Sequence, residues 1–410
     1  MKRQMNHFRI VSSIVTSLCA LLFPTRLVGE RAPDIVWSRS DHTNVVNSVA
    51  FSHDGSLLAS GSADGTIRVR RVSNGDPIIT LTNQNTSVLE IAFRGDGTLV
   101  SWDMTNAMRV WQLSNGLVTR EQPIPRVFVD RTAFSRSGDL FATLGGYDFP
   151  AMMTLYVWRV SDGSLLKKFV PDQDASPSFS PDGQMIAAGL ELAEEYRTYV
   201  WQLSDGALVR AFTNYQSGIS LYGAPVFSPD STRIAALTGP YGRTEIWDLQ
   251  GGNLWGLIPE ETGAPGQSVY VKLLVFTPDG KIAIMSDRDD KIRIWRLSEG
   301  QEIVRLALYD VETAGINALA MSPKGDLFAF GRLDGKVIVA RVPVFITEAR
   351  LSASNFILQW SGGSGSYQLQ QRADLTTSTW QDVGAPTTAT GATNNVSGGS
   401  LFYRVQSLPN

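Results

Sequence analysis

A nucleophilic triad or an imidazole-based metal site needs histidines, and of the three in this chain only His42 and His53 lie beyond the first thirty residues. A thiol nucleophile or a thiolate zinc site needs cysteine, and the single one is Cys19. The carboxylates offer more: Glu194-Glu195, Glu260-Glu261 and Asp289-Asp290 are adjacent pairs, and paired acids can hydrolyse glycosides or hold calcium. Each pair falls in a stretch read as a loop, where neighbouring acids serve solvation. The run Asp287-Arg288-Asp289-Asp290 has calcium-like spacing but contains an arginine and no bidentate Glu in place. No HExxH, P-loop or dinucleotide-type glycine motif occurs. The expectation is therefore no catalytic residue, no metal and no cofactor.

The elements that would position any site are repeats. An apolar residue, Ser or Thr, and a turn rich in Pro, Asp and Gly recur seven times, at Phe51-Ser52-His53-Asp54-Gly55, Phe93 to Gly97, Phe134 to Gly138, Phe179-Ser180-Pro181-Asp182-Gly183, Phe227 to Ser231, Phe276 to Gly280 and Met321 to Gly325. The spacing of 41 to 49 residues is that of a small repeated sheet. After each turn comes a short apolar strand such as Leu57-Leu58-Ala59, then an alternating strand that in five of the repeats ends on Trp111, Trp158, Trp201, Trp247 or Trp295. A second turn such as Ser161-Asp162-Gly163 leads into a fourth strand. A four-stranded meander cannot bury both faces alone, whereas a ring of them covers each by its neighbours. The expected fold is all-β: a seven-bladed propeller over residues 34 to 343.

The repeats resemble those of the WD-repeat family, with Ile246-Trp247-Asp248-Leu249 the nearest copy of the Trp-Asp signature. In that family a His, a Ser or Thr, an Asp and the Trp form a hydrogen-bonded network across the blade. The resemblance places His42, Ser60 and Asp64 in three of those positions, with Arg70 where the Trp should stand. The other repeats lack the His, so packing is expected to hold them. Repeat seven carries Ala340 at the Trp position and has no fourth strand before Pro343. Ile35-Val36-Trp37-Ser38 is the strand expected to complete it and close the ring, removing an exposed edge.

The ends differ from the middle. Lys2, Arg3 and Arg9 precede an apolar run from Ile10 to Phe23, Pro24 and the small Gly29. That order reads as a signal peptide over residues 1–29, too short to span a bilayer, which implies a secreted, periplasmic or cell-surface protein with no integral membrane segment after cleavage. Leu18 stands where a lipoprotein signal has a small residue, so Cys19 is not read as lipidated. Cleavage removes four basic residues and no acid, taking the formal charge from −3 to about −7, and no basic cluster of the kind nucleic acid requires remains. From about Thr347 the repeat stops. Trp360, Tyr367 and Tyr403-Arg404-Val405 resemble the pattern of a fibronectin type III-like module, which implies a small β-sandwich over residues 346–410.

With no chemistry assigned, the expected function is a non-enzymatic interaction scaffold that binds a protein partner. Carbohydrate binding, or a carboxylate-based glycan hydrolase or lyase on a propeller face, is the alternative. The connections between the second and third strands lengthen in repeats three to five and carry Tyr147, Phe149, Tyr196, Arg197, Tyr241 and Arg243. Aromatics and arginine dominate binding hot spots, so these six are the candidate partner-binding residues.

Overall fold

The computed structural model describes residues 8–10, 33–82, 86–123, 128–146, 154–170, 175–191, 196–214, 224–237, 244–258, 271–287, 291–297, 303–310, 314–352, 355–361, 366–372, 379, 381–389, 391–395 and 401–408. Every regular element among them is a strand. Seven four-stranded antiparallel sheets follow one another as blades of a propeller. Blade 1 is Val46–Phe51, Leu57–Ser62, Ile67–Arg71 and Pro77–Leu81, and in each blade the four strands are designated a to d outward from the axis.

The recurrent turn joins strands a and b, and its residues explain its recurrence. Ser52 Oγ donates to Asp54 (2.6 Å) and accepts from the Leu57 N–H (2.9 Å), so one hydroxyl ties both ends of the turn. The last turn residue must adopt the left-handed conformation, which Gly55 takes at φ 73° and Ser231 takes in blade 5 at φ 59°. Where both are present, as in blades 1, 4 and 5, the Ser and Asp close the turn internally and the third residue takes no part in that closure.

Blade 7 has only three strands of its own, Ile316–Met321, Leu327–Arg332 and Val337–Arg341. Ile35–Arg39 pairs with the last of these and becomes its strand d, so the two ends of the propeller close in one sheet. Trp37 then crosses the seam to blade 1: it is buried, donates Nε1–H to the Val72 carbonyl (2.7 Å), and lies flat on the blade 1 c–d turn. A Cβ on Gly75 would come within 2.8 Å of that ring, so the glycine allows the contact. At the axis, Asn317 Nδ2 donates to Asn47 Oδ1 (3.2 Å) and Asn47 Nδ2 donates to the Val88 carbonyl (2.8 Å), stitching blades 7, 1 and 2.

Between blades the core is apolar and layered. Ile284, Ile294, Phe328 and Phe330 fill the space between blades 6 and 7; Trp102, Val110 and Phe141 fill that between blades 2 and 3. The Trp102 and Phe141 rings lie 4.8 Å apart. Such burial is the main favourable term in folding a repeat ring.

Strand c of blade 7 runs towards the face that carries the a–b turns, and the chain leaves there. Phe345–Ser352, Asn355–Ser361 and Gly391–Asn395 form a three-stranded sheet; Ser366–Arg372, Gln381–Asp382 and Leu401–Leu408 belong to a second sheet, whose edge strand is Phe8–Ile10. Leu358 and Trp360 from the first sheet and Tyr367, Leu369 and Val405 from the second share one small core. Burial, with the carboxylates of Asp326 and Asp279 nearby, pushes the Tyr367 phenol above its ordinary value. Those two acids belong to the a–b turn region of blades 7 and 6, so the C-terminal sheets lie against that face.

Candidate functional site

In blade 1 the three residues placed by resemblance meet. His42 Nδ1 is 2.9 Å from Asp64 Oδ2 and its Nε2 is 2.8 Å from Ser60 Oγ. A carboxylate only accepts, so Nδ1 carries the proton and Nε2 accepts from the serine hydroxyl. Burial lowers the His42 pKa despite Asp64, keeping the ring neutral. Burial alone would raise the Asp64 carboxyl, but hydrogen bonds from Thr66, His42 and the Thr43 and Thr66 N–H groups outweigh it and hold the group at about 2. The fourth position is held by Arg70, buried, which donates to the Gly75 carbonyl (3.0 Å) and pairs with Asp41. This arrangement braces the blade: the His and Ser are buried and every member is satisfied from within it.

The network persists in part where the histidine is missing, which the sequence reading did not anticipate. Trp111 Nε1–H donates to Ser101 Oγ (2.8 Å) in blade 2, and Trp158 Nε1–H donates to Thr143 Oγ1 (3.0 Å) in blade 3. In both, the hydroxyl lies on strand b two residues beyond the partner of the Trp, the place Ser60 occupies in blade 1. Blade 2 adds a buried pair, Arg109 with Asp103, and Arg109 also reaches Glu121 (3.1 Å). Blades 4 to 7 place Ala188, Ala236, Met285 and Phe330 at the hydroxyl position, so the Trp–hydroxyl bond has no counterpart there, while blade 7 keeps an acid, Asp334, that pairs with the buried Arg332 (2.9 Å) and accepts from the Lys336 N–H (3.2 Å).

The candidate partner-binding residues sit on, or next to, connections between strands b and c. The stems of these connections are well defined: Gly145 pairs with Thr154, Glu191 with Tyr196, and Leu237 with Thr244. All three emerge at the end of the channel opposite the a–b turns. Tyr147, Phe149, Tyr241 and Arg243 lie outside the described residues. Tyr196 opens strand c of blade 4, opposite Glu191 and Asn214, and Arg197 follows it. Arg197 is half-buried with Nη1 3.4 Å from the Tyr199 hydroxyl, so both residues belong to the strand, and the connection before them is shorter than the sequence suggested.

The acidic pairs Glu194-Glu195, Glu260-Glu261 and Asp289-Asp290 lie outside the described residues. Among the described residues no group of three His, Cys, Asp or Glu side chains is placed to hold a metal, and no helix is long and apolar enough to cross a membrane. His53 stands exposed in the first a–b turn, where its Nε2–H donates to the Arg136 carbonyl of blade 3 (3.0 Å).

The protein is thus an all-β, seven-bladed propeller built from repeats of one pattern. Residues 34–70 match the family described as WD domain, G-beta repeat. The chain is also similar to Periodic tryptophan protein 2 of Arabidopsis thaliana, 29% identical over 178 residues, or 42% of this chain and 19% of that protein. Telomerase protein component 1 of Mus musculus is 22% identical over 316 residues, 76% of this chain and 9% of that one. Nuclear distribution protein nudF of Aspergillus niger is 26% identical over 288 residues, 64% of this chain and 62% of that one. The matched region spans only a minor part of the first two relatives.

Proposed function

We propose that this protein is a non-enzymatic interaction scaffold, exported from the cytoplasm, that binds a protein partner on the propeller face bearing the b–c connections. The observation that carries the reading is the difference between the two faces. One bears tight, internally hydrogen-bonded a–b turns and the C-terminal sheets; the other bears connections of unequal length in blades 3 to 5, rich in Tyr, Phe and Arg. Loops of this composition on a rigid ring are a common basis for partner recognition. The likeness to nudF over 64% of the chain supports a scaffold of this general kind.

On this reading residues 1–29 direct export and are removed, which takes Phe8–Ile10 away from the edge strand Leu401–Leu408. The C-terminal sheets form a fibronectin type III-like spacer or adhesion unit. Capture from the native extracellular fraction, with the wild-type chain and a variant carrying Tyr147→Ala, Tyr196→Ala and Tyr241→Ala side by side, tests the proposal. A partner whose affinity falls at least about tenfold, 1.4 kcal/mol, in the variant supports it. Binding retained within about threefold removes this face from consideration. Mass spectrometry of the native protein tests export: an intact Met1 terminus contradicts it.

A further inference from the structure

The opposite mouth of the channel holds a second candidate site, independent of partner docking on the b–c face. A cavity of about 390 Å³ opens among the a–b turns. Its floor is made by the apolar residues that begin five of the turns, Phe51, Phe179, Phe227, Phe276 and Met321. Its rim is made by the third turn residue, and the rim is divided. Blades 4 to 7 present Pro181, Pro229, Pro278 and Pro323 as an unbroken apolar arc, while blades 1 and 3 present His53 and Arg136. Blade 2 has Gly95 at this position. With no side chain there, His53 reaches across to the Arg136 carbonyl and draws the two polar turns together.

The charge of Arg136 is available. In blades 4 to 6 an acid follows the third residue and is held by its own turn: Asp182 accepts from Ser180 (2.5 Å), Asp230 from Ser228 (2.5 Å) and Asp279 from Thr277 (2.6 Å). Blade 3 has Ser137 in that place, so Arg136 has no acid beside it in its turn. Arg94, on the next turn, is by contrast already paired with Asp96 (2.7 Å) and Asp139 (3.0 Å). Among the described residues Arg136 is paired with no carboxylate.

We propose that this mouth binds a small aromatic carboxylate, its ring against the proline arc and aromatic floor and its carboxylate on the Arg136 guanidinium. The volume lies at the lower end of the roughly 300–1,000 Å³ typical of small-molecule pockets, so one ring with a short arm is the fitting size. A guanidinium takes a carboxylate through paired N–H donors, which gives the site direction as well as charge.

Isothermal titration of the full-length protein with 3-phenylpropionate, 3-phenylpropanol and propionate tests this. Phenylpropionate is expected to bind, with the alcohol and the ringless acid each weaker by about tenfold or more. Arg136→Gln should weaken phenylpropionate at least about fivefold, leaving the alcohol and the melting temperature unchanged, since the side chain is exposed. Arg94→Gln should change nothing. The proposal is overturned by absence of phenylpropionate binding at about 5 mM, by propionate or the alcohol binding as well as phenylpropionate, or by equal losses in the two arginine variants.

Discussion

Glu90 lies on strand a of blade 2, Val88–Phe93, and its carboxylate is enclosed against blade 3. Thr132 Oγ1–H donates to Glu90 Oε2 at 2.6 Å and the Phe134 N–H also serves the group, yet burial dominates and raises its pKa from 4.5 to about 7. An acid raised on folding binds its proton more tightly in the native state. Its stabilising contribution is therefore complete below pH 4.5 and is lost as pH rises towards 7, above which it stays lost. At about 1.4 kcal/mol per tenfold change in proton affinity the total is about 3 kcal/mol. Because Glu90 is only half-buried as a residue, that figure is a ceiling, and about 1.5–3 kcal/mol is the working range. Glu90→Gln keeps the acceptor for Thr132 and removes the titration. Melting curves of both proteins at pH 5, 6, 7 and 8 at constant ionic strength should show the variant gaining on the wild type by about 3–6 °C across the series, at the low per-kcal response of a large domain. His42, whose lowered pKa acts in the opposite direction over the same range, is present in both proteins and cancels from the difference. A difference that is flat with pH, or that favours the wild type as pH rises, refutes the argument.

Ring closure through the strand Ile35–Arg39 predicts that Trp37→Ala costs about 3–5 kcal/mol, read by chemical denaturation, because it empties the seam and leaves the Val72 carbonyl without its donor. Trp37→Phe should cost less, since the ring is largely kept. Ser231→Gly should raise stability by about 0.5–1 kcal/mol in the same assay, since Ser231 holds φ 59° where the other six a–b turns have glycine; its long contact to the Asp182 N–H (3.3 Å) recovers little of that strain. Asp64→Asn should abolish the part of acid unfolding that comes from this group. Its lowered pKa gives stability that is present above 3.8 and lost as the pH falls towards 2, visible as a shallower acid limb in a pH titration of the melting temperature.

How much of this was legible in the sequence depended on whether an interaction lay within one repeat or between repeats. The a–b turn announces itself because Ser52, Asp54 and Gly55 satisfy one another inside five residues, and the same chemistry reappears at Ser180, Asp182 and Gly183. The closing strand was legible by subtraction: repeat seven stopped at strand c, and Ile35–Arg39 had no partner of its own. The Trp–hydroxyl bonds of blades 2 and 3 are legible in the alignment of Ser101 and Thr143 with Ser60, because the Trp needs only the hydroxyl and not the histidine. Glu90 with Thr132 and His53 with Arg136 were out of reach for a different reason. The first pair is 42 residues apart and the second 83, one and two repeats, and only the ring's curvature brings them together. A single turn read alone shows a proline or an arginine at its third position as local turn chemistry. Only when such turns converge on one axis do four prolines become a wall with Arg136 beside it, so in this fold a site on the axis is a property of the ring, while each repeat by itself encodes only the scaffold.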